Sequence, residues 1–436
     1  MQKDLTITSD GAAVSQRERE AAARKNVAQA VHGGDRYLWG VYIALIIVSV
    51  VELFSASSRE VSSEGAFGVL SPVVRHGTLL LLGFGIVWFL QGRHYRLFIP
   101  FTYLFVLVSV GMMLYVLAYG EVVNGARRSM SLFGFQMQPA EFIKMSSVLV
   151  VSLVMARSQK SKGVGVTDRG VWIAAGFVLF FGALLARQGL TNTLLLMAVS
   201  LSMMLVGGVK IRKMLLVLGI YAVCGGAFYA YLSHTGDGDN PNRVGTWKAR
   251  VERRAEVNDV PLYEQKIDSK NRQEMYSYMA QANGGVTGVL PGNGREAARL
   301  PLAFSDFIFA IVVEDIGLIG GVFLLLAYLC LLGRAAGLAS RCARAYPALL
   351  VIGMAVLIVL QALVHMVIVS GLGPVSGQPL PLISKGGSSI IITSMAFGIM
   401  LSVSRFAVSH RSKKAVIKKE IESLPEDLRA ENPTQL

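Results

Sequence analysis

The sequence predicts an all-α, polytopic integral membrane protein of about ten transmembrane helices. Of its 436 residues, 53% are hydrophobic and only 16% are charged, and the mean hydropathy is +0.52. Soluble domains carry about 25% charged residues, so most of this chain avoids water. The apolar residues also occur in blocks that approach the ~20 residues needed to cross a bilayer.

Ten apolar blocks account for the predicted helices. A count of nine is the alternative, if the fifth and sixth blocks do not both form full spans. The blocks lie at about 38–57, 77–92, 97–119, 140–156, 171–187, 189–208, 214–233, 305–333, 346–370 and 388–405.

The lysines and arginines of the short loops predict the orientation. The loops assigned to the cytoplasm hold twice as many of these residues as the opposite short loops, as the positive-inside rule requires. We therefore expect a cytoplasmic tail over residues 1–36, a transmembrane domain over 37–405 and a cytoplasmic tail over 406–436. The net charge of +14 indicates anionic lipid rather than nucleic acid, because no nucleic-acid-binding module accompanies it.

One predicted outer loop, at about 234–304, is long and basic and contains Arg243 and Arg250. Loops longer than about 15 residues are usually functional or disordered. Within it, Arg272–Ala282 favours an amphipathic helix. The glycine-rich residues 284–294 are typical of tight turns.

Charged residues mark a second outer segment, before and at the start of the fourth block. Glu141 and Lys144 are three positions apart, so they share a helix face. Charged side chains that enter a bilayer pair with each other or face a cavity. These two therefore form either a structural ion pair or the wall of a substrate-binding cavity. Arg127 and Arg128 are predicted to contact phosphate or lipid headgroups, with a plain topology signal as the alternative.

A carboxylate stands at the start of the eighth block. Asp306 follows Ser305, and this region ends the long basic loop. One interpretation is that Ser305 or Asp306 caps the helix, which contributes about 1 kcal/mol. The other is that Asp306 faces a polar, cation-rich chamber and is catalytic.

A segment rich in glycine and proline precedes the tenth block, over residues 371–389. Such a composition excludes a continuous helix, and non-helical backbone at membrane depth must be buried in protein or line a wet cavity. Backbone amides and a helix N-terminus suit an anion such as a diphosphate. The predicted substrate-binding residues are Lys385, Gly386, Gly387 and Ser388; a re-entrant loop without ligand is the alternative.

Three of these segments, at 124–144, 300–317 and 371–389, carry the first, second and third sequence motifs. They resemble the SEDS family, the FtsW, RodA and SpoVE proteins, and the resemblance extends over about residues 38–405. The first motif shares G-A-R-R at 125–128 and Q-P-x-E-x-x-K at 138–144. The second shares D-F-I-F-A at 306–310 and an acid pair before Gly317. The third shares P-L-P at 379–381 and G-G-S-S at 386–389. The chain departs from the family pattern at Ser129, Ala140, Leu302, Phe304, Lys385 and Gly189.

The resemblance implies a glycosyltransferase that polymerises lipid II on the outer face of the bacterial inner membrane. It also implies a class B penicillin-binding protein, a transpeptidase, as partner, together with other divisome proteins. The family's essential carboxylate falls on Asp306. A division role at the septum is favoured over an elongation role of the RodA type.

The mechanistic hypothesis is that Asp306 acts as general base on the acceptor hydroxyl. Arg or Lys side chains would stabilise the leaving diphosphate, and the candidates are Arg127, Arg128, Arg243, Arg250 and Lys385. A carboxylate beside a helix N-terminus and basic residues is a weak base, because both favour its charged form. The hypothesis therefore needs desolvation of Asp306 or a divalent cation, Mg²⁺ or Mn²⁺.

Two other classes of function stay open at this point. A lipid II flippase would also use many spans and a broken helix. A non-catalytic division scaffold would not need Asp306.

Overall fold

The computed structural model describes most of the hydrophobic part of the chain. The residues described are 34–57, 61–120, 122–123, 126–127, 129–132, 135–160, 165–186, 188–234, 264, 267–268, 271–297, 299–300, 303–373 and 375–422. Within these, the backbone alone is described at 54, 56–57, 61–73, 122–123, 126–127, 132, 135, 229, 231–234 and 406–422. The predicted N-terminal tail lies almost wholly outside the described residues.

Long apolar helices dominate the described fold, as the hydropathy blocks predict. They are joined by short connections, by two small hairpins and by a region that contains one shorter, more polar helix. The helices are α1 Arg36–Ser57, α2 Val61–Gln91, α3 Phe98–Tyr119, α4 Pro139–Arg157, α5 Asp168–Ala186, α6 Leu190–Val206, α7 Ile211–His234, α8 Arg272–Gly284, α9 Ile308–Ala339, α10 Ala345–Val369 and α11 Gly387–Glu422.

Nine helices in the described part of the chain are long and apolar enough to cross a membrane, which confirms the polytopic all-α class. The sixth apolar block forms α6, a shorter apolar helix of 17 residues. At 1.5 Å per residue it is about 26 Å long, slightly less than the ~30 Å hydrocarbon core. Among the described residues all ten apolar blocks are helical, but the number long enough to span is nine, the alternative count, because the sixth block forms the short helix.

Two hairpins connect α3 to α4. Strands β1 (Val122–Val123) and β2 (Ala126–Arg127) pair antiparallel, as do β3 (Met130–Leu132) and β4 (Phe135–Met137). The second hairpin leads directly into α4, where Pro139 occupies the first turn, a position that does not need its missing N–H. The second hairpin therefore ends at Met137, two residues before the first residue of α4.

Protein surrounds the helices to very different degrees. In α4, 16 of the 19 residues are buried, and the helix packs against α3, α5, α6 and α10. In the spanning part of α11, Gly387–Arg405, 15 of the 19 residues are buried, and this part packs along α2. In contrast, only 11% of Ile211–Phe228 in α7 is buried. The helices α4, α10 and α11 therefore form the centre of the bundle. The first motif ends in α4, and the third motif ends in α11.

Helix α9 is broken about two and a half turns after its start. Gly317 has φ 77° and ψ −174°, and the glycine-rich turn after α8 crosses the break. The N–H of Val289 donates to the carbonyl of Glu314 at 3.0 Å, and the N–H of Leu318 donates to that of Gly285 at 2.9 Å. The turn thus forms hydrogen bonds with backbone groups that the break leaves without helical partners.

Glycine is required on both sides of this crossing. A Cβ at Gly317 would lie 2.2 Å from the carbonyl oxygen of Val286, and one at Gly288 would lie 2.3 Å from that of Asp315. Both residues also have positive φ, which costs other residues roughly 1 kcal/mol or more. The glycine-rich segment 284–294 is therefore a turn region, as predicted, and its glycines allow it to lie against α9.

The two adjacent acids of α9 form hydrogen bonds with this turn region and its neighbours. The Glu314 carboxylate accepts hydrogen bonds from the Asn283 amide at 2.9 Å and from the backbone N–H groups of Arg295 and Glu296 at 2.6 and 3.0 Å. Both acids are fully buried, and a buried carboxylate must find such partners. Asp315 accepts from Ser55 at the end of α1. Through these hydrogen bonds, Glu314 and Asp315 connect α1, α8 and the turn region to α9.

Candidate functional site

Asp306 lies where the region between α8 and α9 enters α9, and its side chain is half-buried. The helix begins at Ile308, and its N-cap is Phe307, whose side chain has no group that can cap. The predicted cap at Ser305 or Asp306 is therefore wrong, because the chain turns into the helix one residue later. Helix capping does not explain the carboxylate at this position.

The glycine- and proline-rich segment lies directly against Asp306. A Cβ at Gly377 would be 3.0 Å from Asp306 Oδ2, and Gly377 has φ +68°. The N–H of Lys385 donates to the carbonyl of Phe304 at 2.8 Å, and the hydroxyl of Ser384 donates to that of Ser305 at 2.7 Å. The second and third motifs, about 70 residues apart in sequence, therefore form one structural unit around the carboxylate.

The four predicted binding residues of the third motif have different surroundings. Lys385 is exposed, with its Nζ 5.3 Å from the centre of the Phe304 ring. Gly386 and Gly387 are half-buried at the start of α11. Ser388 is buried, and its hydroxyl accepts a hydrogen bond from the N–H of Gln138 at 3.2 Å. Of the four, Lys385 is the one with an exposed side chain, whereas Ser388 links α11 to the start of α4.

The pair at the start of α4 lies inside the protein. Lys144 Nζ is 2.7 Å from Glu141 Oε1, and the two side chains are 0% and 4% exposed. Lys144 also donates to Gln361 Oε1 at 3.0 Å, and Gln361 Nε2 donates to the carbonyl of Pro379 at 3.3 Å. These contacts favour the structural ion pair over the cavity wall. A role in substrate binding stays a prediction for both residues.

Two polar residues of α10 contact the same segment and were not among the predicted site residues. Gln361 and His365 are one turn apart and are both buried. Gln361 reaches the carbonyl of Pro379, and His365 Nδ1 lies 2.6 Å from the carbonyl of Gln378. Their spacing of four in an apolar helix is a sequence signal for a shared polar face, although it does not show what that face touches.

The structure does not place the predicted arginines in the site. Arg127 is in β2, where the backbone alone is described, and Arg128, Arg243 and Arg250 lie outside the described residues. Their predicted contacts with phosphate stay predictions. Within the described part of the chain, Lys385 is a cationic group next to the motif around Asp306, over the ring of Phe304.

The described residues contain no group of three or more His, Cys, Asp and Glu side chains that could hold a metal ion. A protein-only metal cage is therefore not formed by this part of the chain. Mg²⁺ is often held by one or two carboxylates together with substrate phosphates, and Asp306 fits that simpler requirement.

The fold and the site define a class: a polytopic membrane protein with a half-buried carboxylate between a broken helix and a non-helical segment at one end of its bundle. The chain belongs to the cell cycle protein family of FtsW, RodA and SpoVE, whose model matches residues 35–409. The family resemblance carried by the three motifs is thereby confirmed.

Relatives of known name cover most of the chain. It is 32% identical over 409 residues to a probable peptidoglycan glycosyltransferase FtsW of Nitrosococcus halophilus, covering 88% of this chain and 98% of the relative. It is 28% identical over 335 residues to stage V sporulation protein E of Bacillus subtilis, covering 76% and 86%.

Solved structures show the same fold. A chain of a peptidoglycan synthase complex that coordinates polymerization and crosslinking is similar with a TM-score of 0.64 and 23% identity, over 86% of this chain and 98% of that chain. The rod shape determining protein RodA of Thermus thermophilus is similar with a TM-score of 0.58 and 22% identity, over 85% and 97%.

Proposed function

We propose that this protein is a peptidoglycan glycosyltransferase that polymerises lipid II on the outer face of the bacterial inner membrane. The observation that carries the proposal is the position of Asp306. Its carboxylate lies beside the turn at Gly377, between the start of α9 and a non-helical segment. The names of the relatives support the same activity.

In the proposed reaction, Asp306 takes the proton from the acceptor sugar hydroxyl as that oxygen attacks the anomeric carbon of the donor. A new glycosidic C–O bond forms, and the bond between the anomeric carbon and the lipid diphosphate breaks. The diphosphate leaves with the bonding electron pair, and Asp306 later releases its proton to solvent. A general base in this position typically contributes about 10²–10⁴-fold to the rate.

The leaving diphosphate needs positive charge nearby. Lys385 is exposed beside the Asp306 segment, so its ammonium group suits the developing negative charge. Arg127, Arg128, Arg243 and Arg250 are further candidates for this role. A divalent cation held by Asp306 and the diphosphate would neutralise the same charge.

We also propose a cellular setting. Both chain termini would lie in the cytoplasm, which places Asp306 on the opposite side, where lipid-linked precursors are joined. The transpeptidase partner would be a class B penicillin-binding protein. Because several relatives are named FtsW, the division septum is the site that we favour over lateral wall elongation.

A reconstituted assay tests the proposed function. Purified protein in detergent micelles, with and without its transpeptidase, is given lipid II that is already accessible. We expect glycan strands longer than the disaccharide, because a polymerase needs no transport step. Product length on a gel is the measurement.

Two outcomes would overturn the proposal. Absence of strands in both samples, from protein that is folded, contradicts a polymerase. Transfer of lipid II between the leaflets of proteoliposomes, without any strands, would instead assign the flippase function.

A further inference from the structure

The segment that faces Asp306 has no helix or strand to hold it. Residues 375–380 are irregular, and Pro379 and Pro381 lack the N–H that would join a backbone ladder. Side chains must therefore fix this stretch. Two of them come from the same face of α10, and they reach two successive carbonyl groups, those of Gln378 and Pro379.

The histidine makes the closer of these two contacts. His365 Nδ1 lies 2.6 Å from the carbonyl oxygen of Gln378, and the ring is 1% exposed. A carbonyl oxygen only accepts, so Nδ1 must carry the proton. Gln378 directly follows Gly377, whose α-carbon faces the Asp306 carboxylate. One peptide therefore separates the histidine's hydrogen bond from the catalytic group.

Packing alone does not account for a histidine here. Its Nε2 is buried and has no hydrogen-bond partner among the described residues. A buried polar atom without a partner costs roughly 1–3 kcal/mol, so an apolar residue would be the more stable choice if filling space were the only need. The Nδ1 hydrogen bond to the segment is what an apolar residue would not supply.

We propose that His365 is a positioning residue for the glycosyltransferase reaction. It holds the peptide at Gln378, and thereby the turn at Gly377, in the conformation that fixes the Asp306 carboxylate against the acceptor. It acts through the segment and does not touch the substrate. This inference rests on the proposed function of Asp306.

The test compares two substitutions at one position. His365→Asn keeps a side-chain N–H that can donate to the carbonyl, and His365→Leu removes it. We expect the leucine variant to lose about 10- to 100-fold in kcat, because small displacements of reacting groups have effects of this size. Its KM should stay within about threefold, since binding groups such as Lys385 are held by other contacts. The asparagine variant should retain a kcat within about threefold of wild type.

Tyr221→Phe is the matched control. Its hydroxyl also donates to a backbone carbonyl, that of Ala175 at 3.1 Å, and the residue is buried. It removes the same kind of contact from another part of the bundle, so kcat should not change. If His365→Leu does not fold, His365→Phe is the second apolar variant.

Three results of this experiment would overturn the inference. A leucine variant as fast as wild type, or equal losses in the leucine and asparagine variants, would overturn the inference. So would failure of both apolar variants to fold, because the histidine would then be structural. If wild-type protein makes no glycan strands, the proposed function itself fails before any variant is compared.

Discussion

Asp306→Asn is expected to abolish polymerisation while the protein stays folded. Asparagine has nearly the same shape as aspartate but cannot accept a proton at neutral pH. We expect kcat to fall about 100-fold or more, in line with the usual contribution of a general base. The half-buried side chain does not cap α9, so the thermal unfolding temperature should change little. The measurements are strand synthesis from lipid II and the unfolding curve in detergent.

Asp168→Asn is a matched control for this experiment. The same aspartate-to-asparagine change is made at the start of α5, where Asp168 pairs with Lys213 and its side chain is 67% exposed. Its substitution should leave kcat unchanged. An Asp306→Asn variant that polymerises at a rate close to wild type would remove the proposed base from the mechanism.

Lys144→Met is expected to give the largest loss of stability. It leaves the Glu141 carboxylate buried beside Gln361 without its cation. Removing one partner of a buried ion pair typically costs about 3–5 kcal/mol. Thermal unfolding followed by the fluorescence of the four tryptophans measures the change.

The double variant Glu141→Gln with Lys144→Met supplies the control. It removes both charges and keeps an amide that can bond with Gln361, so much of the stability should return. If the single variant is as stable as the double one, the site must be hydrated. The pair would then be part of a cavity wall, which is the other alternative that the sequence leaves open.

The sequence predicts much of this fold because a membrane restricts what a chain can do. Backbone groups in lipid must pair within a helix, so apolar blocks such as 346–370 translate directly into helices such as α10. The turn at 284–294 follows from its glycines in the same way. The carboxylate at 306 was identifiable because its motif is specific to the family.

Contacts between distant segments were not predictable by these arguments. The roles of Glu314 and Asp315 depend on where the outer turn crosses α9, which no local pattern specifies. The break at Gly317 likewise exists because that turn supplies hydrogen bonds from outside the helix. His365 could be seen to share a face with Gln361, but its partner at Gln378 depends on the path of an irregular segment. The predicted cap at Ser305 or Asp306 is wrong for a related reason. The carbonyl of Ser305 accepts a hydrogen bond from the hydroxyl of Ser384, which belongs to a segment distant in sequence.

The central claim is that residue 306 faces water on the outer side of the membrane. It is tested by a single cysteine at this position, in a background where Cys224, Cys330 and Cys342 are replaced by alanine. The reference sites are Ala310→Cys, which is fully buried, and Ser340→Cys, at the opposite end of α9.

The probe is a maleimide that cannot cross membranes, added to the outside of intact spheroplasts. We expect Asp306→Cys to be labelled at once, Ser340→Cys only after the membrane is opened, and Ala310→Cys only after unfolding. Labelling of residue 306 that requires an opened membrane or an unfolded protein would contradict the account.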